Sequence, residues 1–280
     1  MMKAILTGAE GNLGRRILEL ASFECLPVAR SAWSGLDGIR PAEYQALIHC
    51  AYDLKNDINV RPDLVLESNV VSTGKALRLC KEKRIPKFIF ISSCSVYGDS
   101  SNSAEDKPCL PVSINGFTKL LNEELIKSFC DGNGIDYLIL RVFNSYGGDD
   151  QFSVVQKLVS CARTGRPFTL VNEGIAERDF IHVADVAKVV CALAGMPLKR
   201  EIINVGSGKS VRIIDLLRAV EEKFGTISIV GEQRPGEAVY SRANINKLRK
   251  LVSLQAIDIL DFIRDPGEPV PRSGSRSLPM

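Results

Sequence analysis

Residues 3–17 read KAILTGAEGNLGRRI: a short apolar run, Ala4-Ile5-Leu6, then a turn with glycines at 8, 11 and 14, then a helical pattern that begins at Asn12. The apolar run predicts a buried strand, and the glycines predict how the chain leaves it. The first glycine permits a tight bend, the second lets backbone approach an anion, and the third lets helix pack on strand. The first amides of a helix have no intrahelical partner and hold a pyrophosphate well. The spacing is GxxGxxG, one residue different from the GxGxxG fingerprint, and its placement between strand and helix is what that motif demands. The expected dinucleotide loop is therefore Gly8, Gly11 and Gly14 with the intervening Glu10, Asn12 and Leu13.

Outward from this turn, apolar runs alternate with helical patterns. QALIHCAY (45–52) precedes a helical stretch around Leu64 to Leu79, KFIFISS (87–93) precedes one from Gly116 to Phe129, and YLILRVF (137–143) follows. This alternation predicts an α/β doubly wound parallel sheet, a Rossmann fold. After Tyr146 the pattern is less regular: a helix from about Ser153 to Arg163, the strand PFTLV, a helix from Val183 to Ala194, the strand IINVG and a helix from Ile213 to Phe224. The expected organisation is a mainly dinucleotide-binding core over 1–165 and a small C-terminal substrate-binding lobe over 166–263, interleaved with the core. Residues 264–280, rich in Pro, Gly and Ser, read as a disordered tail.

Composition narrows the function. The 280 residues carry 36 Lys and Arg against 33 Asp and Glu, net +3 and interspersed, so no nucleic-acid footprint is present. The eight cysteines are scattered, with no CxxC pair and no Cys-His set at zinc spacing, which predicts free thiols and no metal. No cleavable leader pattern and no stretch of about 18 apolar residues is seen, so the expectation is a cytoplasmic protein without membrane spans.

The second strand should be CLPVA (25–29). A carboxylate at its end would bind the ribose 2'-hydroxyl of NAD, but Ala29, Arg30 and Ser31 stand there. A guanidinium suits a 2'-phosphate through paired, charge-assisted hydrogen bonds, so NADP(H) is expected over NAD(H). A merely solvated Arg30 at a strand end would read the same way.

Several ordered motifs then resemble one family. TGAEGNLG, ALIHCAY, SNVVSTGKAL, ISSCSVYG, RVFNSYG, RDFIHVADVA, NVGSG and RPGE resemble, in order, the landmarks of the extended short-chain dehydrogenase/reductases, in the NAD-dependent epimerase/dehydratase branch acting on nucleotide sugars. The likeness runs from Met2 to about Phe262. It implies that Ser93 polarises a substrate oxygen and that Lys119 serves both cofactor and catalysis. It also implies that Cys50, Ala51 and Tyr52 meet the cofactor, with Ser92 and Val142 beside it and Asn69 supporting the site. Cys94, Ser95 and Asn144 are implied on the sugar-nucleotide side, with Arg234 on its diphosphate. Arg178 and Asp179 fall in a landmark that is mostly architectural, so Arg178 is carried as a substrate contact with a structural role as the stronger reading. Relatives that pair through a four-helix contact imply a homodimer through the helices near Leu77 and Leu121.

One position departs from the family. The family pair is YxxxK on a helix, and the segment here, PVSINGFTKLLNEE, has Lys119 but Asn115 in place of the tyrosine. A phenol of pKa about 10 becomes a usable acid or base when a neighbouring cation stabilises its anion, whereas an amide only hydrogen-bonds. Three readings stay open. Another group moves the proton: Lys119, Tyr97, Tyr146, or a water held by Ser93 and Asn115. Alternatively the protein binds NADP(H) and a nucleotide sugar without turnover, or Asn115 marks a deliberately disabled variant. Family dehydratases carry Asp-Glu after the active-site Ser or Thr; Cys94 and Ser95 stand there, which disfavours dehydration and favours epimerisation or keto-sugar reduction. His49 reads as packed, His182 as support for a helix start, Cys94 as a small core residue, and Trp33 as either a loop aromatic or a border of the adenine.

Overall fold

The computed structural model describes residues 1–29, 36, 38–53 and 60–265. The chain opens with β1 (Lys3–Thr7), α1 (Asn12–Leu20), β2 (Glu24–Val28) and β3 (Ala46–His49). It continues through α2 (Pro62–Leu66), a π-helical turn (Glu67–Val71), α3 (Ser72–Glu82), β4 (Lys87–Ser93) and β5 (Ser100–Ser103). Then come α4 (Ile114–Asn133), β6 (Asp136–Val142), β7 (Asn144–Tyr146), α5 (Val154–Thr164), β8 (Phe168–Val171), β9 (Glu177–His182) and α6 (Val183–Ala194). The remainder is β10 (Glu201–Val205), β11 (Ser210–Arg212), α7 (Ile213–Phe224), β12 (Ile229–Glu232), β13 (Tyr240–Ala243), α8 (Asn246–Leu251) and α9 (Ile259–Arg264).

Six strands form one parallel sheet in the order β10-β6-β4-β3-β1-β2. Successive side chains of a strand point to opposite faces, and the apolar runs obey this. Ala4, Leu6, Ile48 and Ile89 pack with Ile17 of α1 and Val186, Val189 and Val190 of α6. The alternate residues Ile5, Leu47, Phe88 and Phe90 pack with Leu77 and Cys80 of α3 and Ile126 and Cys130 of α4. Both faces are covered, which is why the strands read as continuous apolar runs. Leu77 is only 1% exposed inside this second layer, on the face of α3 that packs against the sheet.

β10, which follows residue 165, closes the large sheet, whereas β5, which precedes it, joins β11, β9 and β13 in a second, five-stranded sheet that also takes in β7. A third apolar cluster fills this lobe, with Tyr146, Leu158, Phe168, Leu216, Val220 and Ile263 at its centre. Among the described residues, no helix is long and apolar enough to cross a membrane, and all eight cysteines are unpaired.

Candidate active site

β1 has β2 on one side and β3 on the other, so the winding of the sheet reverses between β1 and β3. In open parallel sheets that switch point opens a crevice beyond the strands' carboxyl ends. Here it lies between Gly8 and Ala51. Gly8 has φ of +71°, and a Cβ on it would stand 2.6 Å from the Ala51 backbone nitrogen. A Cβ on Gly14 would stand 2.2 Å from the Gly8 carbonyl oxygen. Helix α1 starts from Gly11 with no side-chain cap, which leaves its first amides facing the crevice. The loop is thus a cradle that side chains would fill, and it fits a dinucleotide pyrophosphate. The Asn12 amide is engaged elsewhere: it donates to the Gly147 carbonyl (2.9 Å) and accepts from the Asp149 amide (2.9 Å), tying the glycine turn to the lobe.

From this cradle a cleft of about 1850 Å³ runs past Ser93, Asn115 and Lys119 to Arg178 and Arg234. A drug-sized ligand needs roughly 300–1,000 Å³, so the space admits two ligands side by side. Gly8, Glu10, Gly11, Asn12, Leu13, Gly14, Ala29, Cys50, Ala51, Tyr52, Ser92, Val142, Cys94 and Asn144 all line it. Asn69 does not. It is buried behind the wall, where its amide holds the Asp53 backbone by two bonds, accepting from the amide (2.6 Å) and donating to the carbonyl (3.1 Å).

Ser93 ends β4 and caps the short helical turn Cys94–Val96. Its Oγ accepts from the Ser95 amide (3.2 Å) and the Ser95 hydroxyl (2.9 Å), and Ser95 Oγ accepts in turn from Asn115 Nδ2 (3.3 Å). The chain Asn115 to Ser95 to Ser93 is therefore directional and leaves the Ser93 hydrogen to donate to a ligand oxygen. Asn115 Oδ1 is buried without a partner among the described residues, an acceptor a ligand hydroxyl can satisfy.

Lys119 lies one helical turn after Asn115 and is 6% exposed. Its Nζ donates to the Ile91 carbonyl (2.7 Å) and stands 3.7 Å over the Tyr52 ring centroid. Burial pulls the amine down to about 7, against the raising influence of Cys50 and Glu123. Behind it, Glu123 accepts from Ser92 Oγ (2.5 Å) and pairs with Arg141 (2.7 Å), both partners fully enclosed.

On the lobe side, Asn144 Nδ2 donates to the Asp179 carbonyl (2.8 Å). Arg178 reaches the cleft but donates to the carbonyls of Glu177, Ala238 and Val239. Buried Asp179 accepts from the amides of Ser207, Gly208 and Ala243; the pair is largely architectural. Arg234 sits half exposed at the rim, paired with Glu232, its backbone fixed by reciprocal bonds to Asn172 (2.8 and 3.0 Å). The sequence reading missed two walls: Ser68, Ser72 and Lys75, and Val154, Lys157 and Cys161. Spacings of three and four residues place each trio on one helix face, a signal present in the sequence but without a motif to draw attention to it.

The family model for the NAD dependent epimerase/dehydratase family matches residues 37–206. The chain belongs to that family. It is 30% identical over 205 residues to a putative UDP-glucose 4-epimerase of Methanocaldococcus jannaschii, covering 70% of this chain and 67% of that one. It is 28% identical over 189 residues to an uncharacterized UDP-glucose epimerase of Bacillus subtilis, covering 66% of this chain and 60% of that one. The matched stretch thus spans 60–67% of the length of these two relatives. In three dimensions it resembles the Thermus thermophilus UDP-glucose 4-epimerase crystallised with NAD, with TM-score 0.83, 23% identity and coverage of 94% and 97% of the two chains. It also resembles the UDP-N-acetylglucosamine 4-epimerase from Methanobrevibacter ruminantium M1 in complex with UDP-N-acetylmuramic acid, with TM-score 0.79, 25% identity and coverage of 94% and 96%.

Within this epimerase/dehydratase member, two candidate phenols are corrected. Tyr97 is buried and donates to Asn204 Oδ1 (2.7 Å), and burial raises it to about 12. Tyr146 is fully buried in the lobe core and donates to the Ile257 carbonyl (2.9 Å). Neither lines the cleft. His49 is held between the hydroxyls of Thr7 (2.7 Å) and Thr73 (3.2 Å) and is pushed by burial down to about 3, a neutral packed histidine. His182 caps α6 through Ala184. Cys94 packs against the core with one side to the cleft, and burial raises its thiol. Arg30, Ser31, Trp33 and nearly all of the tail lie outside the described residues.

Proposed function

We propose that this chain is an NAD(P)-dependent nucleotide-sugar epimerase or keto-sugar reductase in which Lys119 performs the proton transfer that a tyrosine at position 115 would perform. The carrying observation is one continuous cleft that places the glycine cradle, the Ser93 donor and a lysine lowered to about 7 along a single wall. When bound, the nicotinamide supplies or accepts the hydride. Ser93, polarised by Ser95 and Asn115, donates to the reacting sugar oxygen. Asn115 Oδ1 accepts from a sugar hydroxyl and fixes its orientation. Lys119 takes the proton from that oxygen on oxidation and returns it on reduction. Arg178 and Arg234 lie at the far end, where a diphosphate would sit.

The preference for NADP(H) rests on Arg30 and on Ala29, which lines the cleft at the end of β2 without a carboxylate. Titration with NADPH and NADH, followed by fluorescence, tests the cofactor part: tight, saturable binding of NADPH is expected, and failure to bind either would remove the reading. Eight unpaired thiols support a reducing, cytoplasmic setting. Ile114, Phe117 and Leu121, each about half exposed and on one face of α4, support a homodimer through that helix; a strict monomer on gel filtration argues against it. The division into a core over 1–165 and a substrate lobe over 166–263 belongs to the same proposal.

A second reading has its own observation. Asn115 cannot titrate, and both alternative phenols point away from the cleft, which favours a noncatalytic protein that binds dinucleotide and nucleotide sugar. It predicts saturable binding of both with no hydride transfer.

A further inference from the structure

We infer that Tyr52 is a positioning residue for Lys119: its ring is the roof that holds the amine in the cleft wall and shuts it away from bulk water. This rests on the reading of Lys119 as the proton-transfer group. The ammonium lies 3.7 Å from the Tyr52 ring centroid and 4.8 Å from that of Phe90, with the Ile91 carbonyl as its hydrogen-bond acceptor. Two aromatic faces and a carbonyl surround the amine, with Tyr52 beside Lys119 on the cleft wall.

The roof is anchored. Tyr52 is followed by Asp53, whose backbone amide and carbonyl are both held by the Asn69 side chain (2.6 and 3.1 Å). The Asn69 carbonyl accepts from Asn122 Nδ2 (2.8 Å) on α4, the helix that carries Lys119. Roof and amine are thus tied to one helix, so their spacing is fixed by structure and not by the ring contact alone.

A ring face attracts a cation, while loss of water disfavours it. Lys119 lies at about 7, so exclusion of water is the stronger influence. The other groups facing it do not compensate. Cys50 is held protonated by burial, His49 is neutral, and Glu123 is engaged by Ser92 and Arg141.

The test is competitive acetylation of Lys119 across a pH series in the full-length protein without added ligand, read at its peptide by mass spectrometry. Wild type and Tyr52→Phe should share a labelling midpoint near pH 7, because the ring is kept. Tyr52→Ala and Tyr52→Val should move the midpoint upward by about one unit or more. Two truncations guard against one failing to fold. An unmoved midpoint in the folded truncations overturns the inference, and so does Tyr52→Phe shifting as far as Tyr52→Ala, which would assign the effect to the hydroxyl. Labelling is independent of turnover. An inert protein whose midpoint moves keeps the roof and loses only the proton role.

Discussion

Asn115 and Lys119 stand one turn apart on the cleft side of α4, and their hydrogen bonds run to opposite partners: Asn115 donates to Ser95, Lys119 to the Ile91 carbonyl. On the proposed function, the amide organises a donor chain and the amine supplies the titrating group. Roles that one phenol would combine are divided between them.

If so, Ser95→Ala should matter although Ser95 lies behind Ser93. It removes the bond that polarises Ser93 and leaves Asn115 Nδ2 without its acceptor. The expected loss is about tenfold in kcat with KM little changed, against roughly 10²–10³ for Ser93→Ala. Steady-state kinetics of both variants checks this; equal losses in KM alone would point to binding instead.

Lys119 also carries a stability signature. Its folded value of about 7 lies below the usual lysine value of 10.5. Between those limits the unfolded chain binds more protons, so stability rises with pH across that window, and below about pH 7 the full burial penalty acts. Lys119→Met should therefore stabilise the protein by on the order of a few kcal/mol near pH 6, with the gain shrinking towards pH 10. Urea unfolding of both proteins at the two pH values measures it. A gain that is independent of pH would contradict a depressed amine.

Glu123 and Arg141 form an enclosed ion pair, with side chains 0% and 4% exposed. Glu123→Gln leaves the guanidinium buried and uncompensated, which should cost ~3–5 kcal/mol. Glu123→Leu combined with Arg141→Met should recover much of that loss, as measured by chemical denaturation, because removing both charges avoids the unpaired one.

Gly8→Ala places a Cβ 2.6 Å from the Ala51 nitrogen at a φ of +71°. The strain should cost roughly 1–3 kcal/mol, and displacement of the loop should weaken dinucleotide binding at least about tenfold. Thermal unfolding together with an NADPH titration checks both halves.

Local order made the core legible in the sequence. The run Ala4-Ile5-Leu6, the glycines at 8, 11 and 14 and the alternating runs around Ile48 and Ile89 each announce their own geometry, and the parallel sheet follows. What required three dimensions was contact between distant segments. No pattern places the Tyr52 ring on Lys119, 67 positions away, and none turns the hydroxyls of Tyr97 and Tyr146 towards Asn204 and Ile257 and so away from the cleft. Leu77 and Leu121 both read as helical leucines. Only the packing of α3 and α4 side by side on one face of the sheet shows that the first is buried and the second exposed.

The most direct measurement is single-turnover hydride transfer with a panel of UDP-sugars and 4-keto nucleotide sugars, comparing this protein with Lys119→Ala and Asn115→Tyr. The account predicts transfer by the starting protein, abolished in Lys119→Ala while dinucleotide affinity stays within a few-fold. No transfer by the starting protein, with activity appearing in Asn115→Tyr, would contradict it and leave a binding protein with a disabled site.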